Sequence, residues 1–381
     1  MRKGFIFNQN KCVACKACSA ACILENGWKV QPRSIFTYNK EAVFSLQVIH
    51  LSMACNHCEK PVCLEGCPSA AYIRDSETEA VIIDEKKCIG CHYCKWNCPY
   101  DAPKSDFVNG IVYKCHLCHT RLKEGREPAC ASSCPTGALS YGYLLAGTES
   151  YSLPWFPDKK LNPALEISGF NKSIPLKIIP ERIQKPENKI INEKEKNIKD
   201  EWSLVAFTFL TSIAVAMVSS SFLKGFFPDK ILFLIILLTG GISFFHLGKP
   251  LKAWRALVNI KDSPLSREIT LFLIFSVISI LSVILKSSVL LVVSSLSGLI
   301  LLAAIDAVYT FSDKRKSIIF HSGQTFLTGL LIISFFSDML FPFLFIAFIK
   351  FASSVFNMLN DKNRDLFSIY DFSELQCLSL L

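Results

Sequence analysis

Hydrophobic and polar positions are arranged differently in the two halves of this chain. From residue 203 onward, long apolar runs of Leu, Ile, Phe, Val and Ser follow one another. They predict helices near 203–223, 230–247, 268–286, 288–311, 318–337 and 339–358. Each run is about 18–24 residues, enough at 1.5 Å per residue to cross a hydrocarbon layer of about 30 Å. Six such runs in succession do not suit a soluble core, so this half reads as an all-α transmembrane helix bundle. Before residue 200 the apolar stretches are short. "AVIIDEKKC" (80–88) predicts a β-strand leading into a cysteine-rich loop, and "IFTYNKEAVFSLQVIHLSMAC" (35–55) predicts one or two strands before another. Between the halves, 171–201 carry three prolines and many Lys, Glu and Asn, the composition of a tether without a core of its own.

Charge refines this division. The 381 residues carry a formal net charge of +9. The excess sits in the Lys-rich linker and in short loops between apolar runs, so it reads as membrane-flanking charge and not as a nucleic-acid surface. With six spans, the N-terminal half, the 248–267 loop, the 312–317 loop and the tail share one side. That side carries Lys249, Lys252, Arg255, Lys261, Arg267, Lys314, Arg315 and Lys316, against Lys224, Lys230 and Lys286 opposite. The positive-inside rule then predicts that the N-terminal domain faces the cytoplasm from the inner membrane, with the extracytoplasmic side as the alternative. The opening "MRKGFIFNQNK" has no apolar signal core and no twin-arginine pair, which predicts no export address in it.

Sixteen of the 17 cysteines precede residue 135, and the other is Cys377. Cys12, Cys15, Cys18 and Cys22 read C-x2-C-x2-C-x3-C. Cys55, Cys58, Cys63 and Cys67 read C-x2-C-x4-C-x3-C-P. Cys88, Cys91, Cys94 and Cys98 read C-x2-C-x2-C-x3-C-P, and Cys115, Cys118, Cys130 and Cys134 read C-x2-C-x11-C-x3-C-P. Two-residue gaps let a tight loop aim thiolates at the corners of one cubane, while the fourth cysteine reaches a neighbouring cluster. Pro68, Pro99 and Pro135 follow the last cysteine of three motifs, whereas Ile23 stands there in the first. Disulfides need an oxidising compartment and suit such dense C-x2-C pairs poorly. Structural zinc uses C-x2-C pairs but not usually four runs with a third and fourth cysteine in this register. The pattern predicts four [4Fe–4S] clusters.

The segments "CIGCHYCKWNCPYDAPK" and "KCHLCHTRLKEGREPACASSCPTGAL" resemble the electron-transfer subunit of the dimethyl-sulfoxide reductase family over roughly residues 3–170. The resemblance implies a four-cluster, α+β bacterial-ferredoxin-like fold with nested ligand sharing. One set is Cys12, Cys15, Cys18 and Cys134; another is Cys115, Cys118, Cys130 and Cys22. A third is Cys55, Cys58, Cys63 and Cys98, and the fourth is Cys88, Cys91, Cys94 and Cys67. Some nitrate-reductase relatives have Trp for a cysteine of the third motif and a three-iron cluster; this chain keeps all four cysteines there.

Ionisable residues recur at the edges of the apolar runs: His246, Arg267, Glu268, Asp306 and His321. Such groups are costly in a membrane and mark function by default. Quinol oxidation needs them, because two protons leave with two electrons. Asp306 also has a plainer reading, as an interhelical partner of Arg267, and His246 and His321 another, as residues capping span ends. The stretch "FFHLGKPLKAWRALVNIKDSPLSREI" is similar to the membrane-anchor subunit of the same family over roughly 200–335, which implies a menaquinol site at His246; the ionisable Arg267 and Glu268, read from their place at the span edge, are expected to belong to the same quinol site. The family anchor has eight spans, more than this chain offers.

The sequence therefore predicts a four-cluster ferredoxin-like domain (1–170), a Lys/Pro-rich linker (171–201), a quinol-binding transmembrane anchor (202–360) and a short tail (361–381). The function expected from the resemblance is electron transfer from the menaquinone pool, through the clusters, to a separate molybdopterin-containing catalytic subunit that reduces an S- or N-oxide such as dimethyl sulfoxide. The alternatives are the same wiring in a polysulfide or thiosulfate reductase, formate dehydrogenase or hydrogenase, and a redox-inactive iron–sulfur scaffold. Membrane lipid is an expected partner and nucleic acid is not.

Overall fold

The computed structural model describes residues 2–28, 31–38, 48–144, 161–169, 202–225, 230–245, 247–312 and 324–360. The linker 171–201, the tail 361–381, His246, His321, the 314–316 basic cluster and Cys377 lie outside the described residues. The chain forms two compact units. Among the described residues the first takes 2–65 and 70–169, and the second takes 66–69 and 202–360.

The first unit is built of short elements between cysteine loops. In chain order they are β1 Lys3–Asn8, a 3-10 turn Gln9–Lys11, α1 Ala17–Asn26, β2 Ser34–Tyr38, β3 Ile49–Met53, α2 Val62–Glu65, β4 Tyr72–Arg74, β5 Val81–Ile83, α3 Tyr93–Asn97, β6 Lys104–Asp106, β7 Ile111–Tyr113, α4 His119–Lys123, α5 Ala129–Ser132, β8 Leu139–Tyr143 and β9 Leu165–Ser168. β1 is the middle strand of a three-stranded sheet, antiparallel to β8 and parallel to β9. The pairs β2–β3, β4–β5 and β6–β7 are antiparallel hairpins. Two of them turn on aspartates. Asp75 Oδ1 accepts the N–H of Thr78 at 2.9 Å, and Asp106 Oδ1 accepts those of Val108 and Asn109 at 2.9 and 3.1 Å. An Asx turn of this kind fixes the reversal locally. Each of these two hairpins ends shortly before a cysteine loop, β5 before Cys88 and β7 before Cys115. The strand expected in 80–88 is thus β5, and the strands expected in 35–55 are β2 and β3.

The core of this unit mixes aliphatic, aromatic and thiol side chains. Phe5, Phe7, Ile49, Leu51, Leu139 and Leu165 pack in one cluster with Cys18, Cys55, Cys115 and Cys130. A buried Phe or Leu contributes about 1.5–3 kcal/mol, but few such residues are available in this cluster. A fold whose core contains so many thiols gains stability from whatever those thiols bind.

The second unit is helical: α6 Trp202–Lys224, α7 Lys230–Ser243, a 3-10 segment Pro250–Leu257, α8 Pro264–Leu285, α9 Ser288–Ser312, α10 Gln324–Phe336 and α11 Leu340–Asn360. Small residues line the contacts between helices. Ser279 of α8 meets Ser294 of α9 at 2.6 Å, and Ser219 of α6 meets Ser295 at 2.8 Å. A Cβ at Gly298 would lie 2.9 Å from Val215 and 3.0 Å from Phe275, so glycine is what lets these helices approach. Phe233, Leu237, Ile284, Phe341 and Phe348 are exposed on the outside of this unit, as a lipid-facing surface requires. The segment Gly66–Ser69 is held within this unit by Asn259 Nδ2, which donates to the Cys67 carbonyl at 3.0 Å, and by Ser263 Oγ, which donates to the Gly66 carbonyl at 2.8 Å.

Three helices, Trp202–Lys224, Pro264–Leu285 and Ser288–Val308, are long and apolar enough to cross a membrane. Of the six apolar helices expected, these three reach spanning length among the described residues, and Ile231–Ser243, Gln324–Phe336 and Leu340–Ala352 are shorter apolar helices. α7 stops at Ser243, short of the expected 247, just after the Gly240–Gly241 pair. α8 starts four residues earlier than its apolar run, because Ser263 caps it, accepting the N–H of Ser266, and Pro264 fills its first position. α8 and α9 are separated by Lys286 and Ser287 alone, with Lys286 in the left-handed region at φ 45°.

Candidate metal centres

The first Cys-x-x-Cys loop of each motif bends in the same way. The second intervening residue has positive φ in all four: Ala14 at 53°, His57 at 44°, Gly90 at 68° and Leu117 at 63°. Three of these are not glycine, and such a backbone is uncommon and costs energy for an L-residue. Its recurrence ties the strain to the loops' shared task. Alternating backbone of this kind turns successive N–H groups into a concavity that receives an anionic group, iron–sulfur sites among them. Lys16, His92 and Cys118, also left-handed, start α1, α3 and α4 with no side-chain cap.

The sixteen thiols are all free of disulfides. Cys18, Cys22, Cys55, Cys67, Cys88, Cys94, Cys115, Cys118 and Cys130 are buried. Cys12, Cys58, Cys63, Cys91, Cys98 and Cys134 are half-buried, and Cys15 is exposed. Burial pushes the Cys12 thiol up, and Cys18, Cys134 and Cys15 add to the shift. Cys22 is pushed up to about 12, first by burial; Arg33 opposes this, and Cys130 and Cys118 reinforce it. Cys98 reaches about 12 by burial with Cys55 adding, while Cys63 is raised by burial and then by Cys55, Cys98 and Cys58. Cys115 is raised by burial and then by Cys22 and Cys130. At Cys134 the effect of burial is outweighed by the N–H of Leu139 at 3.4 Å and by Thr136, and the thiol is lowered.

The leading electrostatic neighbours fall into three groups in the first unit, Cys12, Cys15, Cys18 and Cys134; Cys22, Cys115, Cys118 and Cys130; Cys55, Cys58, Cys63 and Cys98, and weaker couplings of Cys22 to Cys18 and of Cys115 to Cys55 link them. Cys88, Cys91 and Cys94 occupy the loop and first turn of α3 in the same unit, and Cys67 belongs to the second unit. Buried thiols that raise one another's pKa are poor thiolates when alone; a metal that takes them deprotonated reverses this.

The polar surroundings fit an iron–sulfur group. His57 is buried between Cys55 and Cys58, and its Nδ1 accepts the N–H of Val81 at 3.0 Å. Its proton therefore sits on Nε2, which finds no partner among the described residues. Burial, and then Lys114, keep this imidazole well below its ordinary pKa and hence neutral. Asn56 Nδ2 and Asn97 Nδ2, each next to a cysteine, are likewise buried without partners. Buried donors left unpaired this way are rare, and sulfide or thiolate acceptors would satisfy them. Among the described residues no three His, Cys, Asp or Glu side chains converge as a single metal ion requires.

The comparisons agree with this chemistry. Residues 46–144 match the 4Fe-4S dicluster domain family. The sequence is 37% identical over 180 residues to a polypeptide of the anaerobic dimethyl sulfoxide reductase of Haemophilus influenzae, covering 43% of this chain and 87% of the relative. It is 38% identical over 149 residues to the corresponding polypeptide of Escherichia coli K12, covering 36% of this chain and 72% of the relative. This chain is a member of the dimethyl sulfoxide reductase iron–sulfur subunit family. Within the wider similarity, a polypeptide of the sulfite dehydrogenase of Allochromatium vinosum is 30% identical over 161 residues, covering 36% of this chain and 67% of the relative.

A second polar cluster lies in the helical unit. Asp306 of α9 accepts the backbone N–H groups of Thr325 and Phe326 at 3.0 and 2.9 Å, and so caps the start of α10. Glu268 of α8 is buried, with Asp306 as its electrostatic neighbour. Lys350 of α11 is buried as well, and its Nζ donates to Thr328 Oγ1 at 2.7 Å. The pairing of Asp306 with Arg267 is corrected. Arg267 donates to the carbonyls of Ile260, at 3.1 Å, and Lys261, and so braces its own loop. Lys350 was not foreseen; its signal in the sequence is a lone cation inside the apolar stretch 339–352.

Proposed function

We propose that this chain is the membrane-bound electron-transfer subunit of an anaerobic respiratory molybdoenzyme. It carries electrons from menaquinol through four [4Fe–4S] clusters to a separate molybdopterin-containing catalytic subunit that reduces an S- or N-oxide. The observation that carries this reading is the fourfold repeat of a left-handed Cys-x-x-Cys loop with buried, mutually coupled thiols.

When bound, the clusters supply one-electron carriers tuned by charge, hydrogen bonds and solvent exposure. The cysteines hold them as thiolates. The three groups of neighbours in the first unit support three of the ligand sets, and the set of Cys88, Cys91, Cys94 and Cys67 rests on motif spacing. Neutral His57 offers its Nε2 proton as a hydrogen bond. In the helical unit the Glu268 carboxylate takes one proton as menaquinol is oxidised and passes it on, and the His246 imidazole takes the other. Arg267 braces the loop before α8 through the Ile260 and Lys261 carbonyls. The iron–sulfur residues are assigned to the cytoplasmic side of the inner membrane, supported by the Lys and Arg residues of the 248–267 loop. The domain limits proposed are 1–170, 171–201, 202–360 and 361–381.

Similarity to the sulfite dehydrogenase polypeptide, and to the formate dehydrogenase, nitrate-inducible, iron-sulfur subunit of Escherichia coli, favours one second reading. In it the same wiring runs in reverse, from an oxidising catalytic subunit to quinone. Stopped-flow mixing of the anaerobic protein with a menaquinol analogue separates these readings from a redox-inactive scaffold. Visible bleaching is expected, and a full complement of iron that stays oxidised would contradict electron transfer. Pull-down of the partner subunit decides the substrate class.

A further inference from the structure

Arg33 lies just before β2 and is 2% exposed, one of the largest fully buried side chains in the protein. A guanidinium is always charged and only donates hydrogen bonds. Burying such a charge is costly unless something of opposite sign compensates it. Among the described residues no carboxylate pairs with Arg33. Its Nη1 donates to Ser52 Oγ at 3.0 Å and to the Ser52 carbonyl at 3.4 Å, its Cζ lies 4.4 Å from the centre of the Phe5 ring, and its Nε has no partner.

What surrounds this cation is sulfur. Its electrostatic neighbours are Cys130, Cys115, Cys18 and Cys22. Cys18 and Cys22 are both buried on α1. As neutral thiols they would not offset a buried charge; as iron-bound thiolates they would. Ser52 supplies a directed link. Its Oγ lies 3.5 Å from Cys18 Sγ. Because Arg33 can only donate, Ser52 Oγ accepts from it, and the Ser52 O–H is free to donate to the Cys18 sulfur.

We infer that Arg33 is the internal counter-charge of the two clusters ligated from α1, one through Cys18 and one through Cys22, and that, acting through Ser52, it raises the reduction potential of the Cys18 cluster. The inference rests on the cluster reading above and deepens it. Reduction adds one electron, supplied along the chain from quinol, and no proton; the added negative charge is favoured by a fixed cation nearby. Arg33 is a positioning residue, since Ser52 carries its effect to the sulfur.

The test is a potentiometric EPR titration of the full membrane complex with iron analysis, on wild type, Arg33→Met, Arg33→Lys and Ser52→Ala. In Arg33→Met the reduced-to-oxidised ratio of one or two cluster components at fixed potential is expected to fall at least tenfold, a shift of about 59 mV for one electron. Ser52→Ala is expected to shift a single component in the same direction by less, and Arg33→Lys to restore most of the wild-type value. Iron-replete Arg33→Met and Ser52→Ala proteins with unchanged potentials would overturn the inference and leave the cluster reading intact. If Arg33→Met fails to accumulate, an unchanged potential in iron-replete Ser52→Ala overturns it. A wild-type protein without iron would overturn the cluster reading itself.

Discussion

The backbone N–H of Val81 donates to Nδ1 of His57 at 3.0 Å, so the first residue of β5 fixes the tautomer of a histidine inside a cysteine loop. Replacing His57 with Leu removes that acceptor and leaves a buried N–H unpaired, which costs about 1–3 kcal/mol. His57→Leu is expected to lower the melting temperature of the iron-loaded protein. His57→Asn, which tolerates positive φ and keeps an acceptor, is expected to lower it less. Equal melting temperatures for the two variants would remove His57 from this role.

Gly90 occupies the same left-handed position in the third cysteine loop, at φ 68°. Gly90→Val puts a β-branched side chain there, at a cost of about 1–2 kcal/mol or more. The variant should retain less iron after gel filtration. Ala14→Gly, at φ 53° in the first loop, should stay within about 1 kcal/mol of wild type.

Close approach of helices makes Gly298 sensitive. Gly298→Leu drives a side chain into Val215 and Phe275, and overpacking of this kind typically costs about 1–3 kcal/mol. Gly241 has open space around it, so Gly241→Ala serves as the control and should unfold like wild type. Thermal aggregation in detergent compares the two.

Asp75 gives a pH signature. Its side chain accepts from Lys123 Nζ at 2.7 Å and from the N–H of Thr78, and these, Lys123 first, hold its carboxyl below the usual carboxylate range. A group whose pKa is lower in the folded state contributes stability that is present above its unfolded value, about 3.9, and is lost as pH falls through the folded value. Asp75→Asn should therefore reduce the loss of stability below about pH 4, and by little, because the Lys123 pair is solvent-screened. Melting curves of the two proteins taken across that range are the check; a variant that loses stability on acidification as steeply as wild type would contradict the assignment.

Glu268 is buried in α8 near Asp306. Glu268→Gln keeps the shape and removes the proton acceptor. Cluster reduction by a menaquinol analogue should slow by about 100-fold, the low end for general acid–base catalysis, while dithionite still reduces every cluster. A quinol-driven rate equal to wild type would take Glu268 out of proton transfer.

Cysteine spacing made the metal half legible, because ligand geometry is local and leaves its period in the chain. β5 and the β2–β3 hairpin were legible for the same reason, each being a short apolar run ending at a turn. The start of α8 was not read from hydropathy, since its first turn is the polar cap Ser263–Pro264, outside the apolar run. Asp306 was legible as an unusual carboxylate, but its partners, the N–H groups of Thr325 and Phe326, belong to the backbone and carry no sequence signature. Arg33 left no trace in the pattern at all. "QPRSIF" is an ordinary loop-to-strand sequence, and only folding brings its charge among the sulfurs of Cys18, Cys22, Cys115 and Cys130.

Quantitative iron and acid-labile sulfide analysis of anaerobically purified protein, read beside its EPR spectrum after dithionite reduction, tests the central claim most directly. The sixteen thiols are expected to hold about sixteen irons and as many sulfides, four per cubane, with reduced-cluster signals. Zinc in their place, or a small fraction of that iron with no such signals, would contradict it.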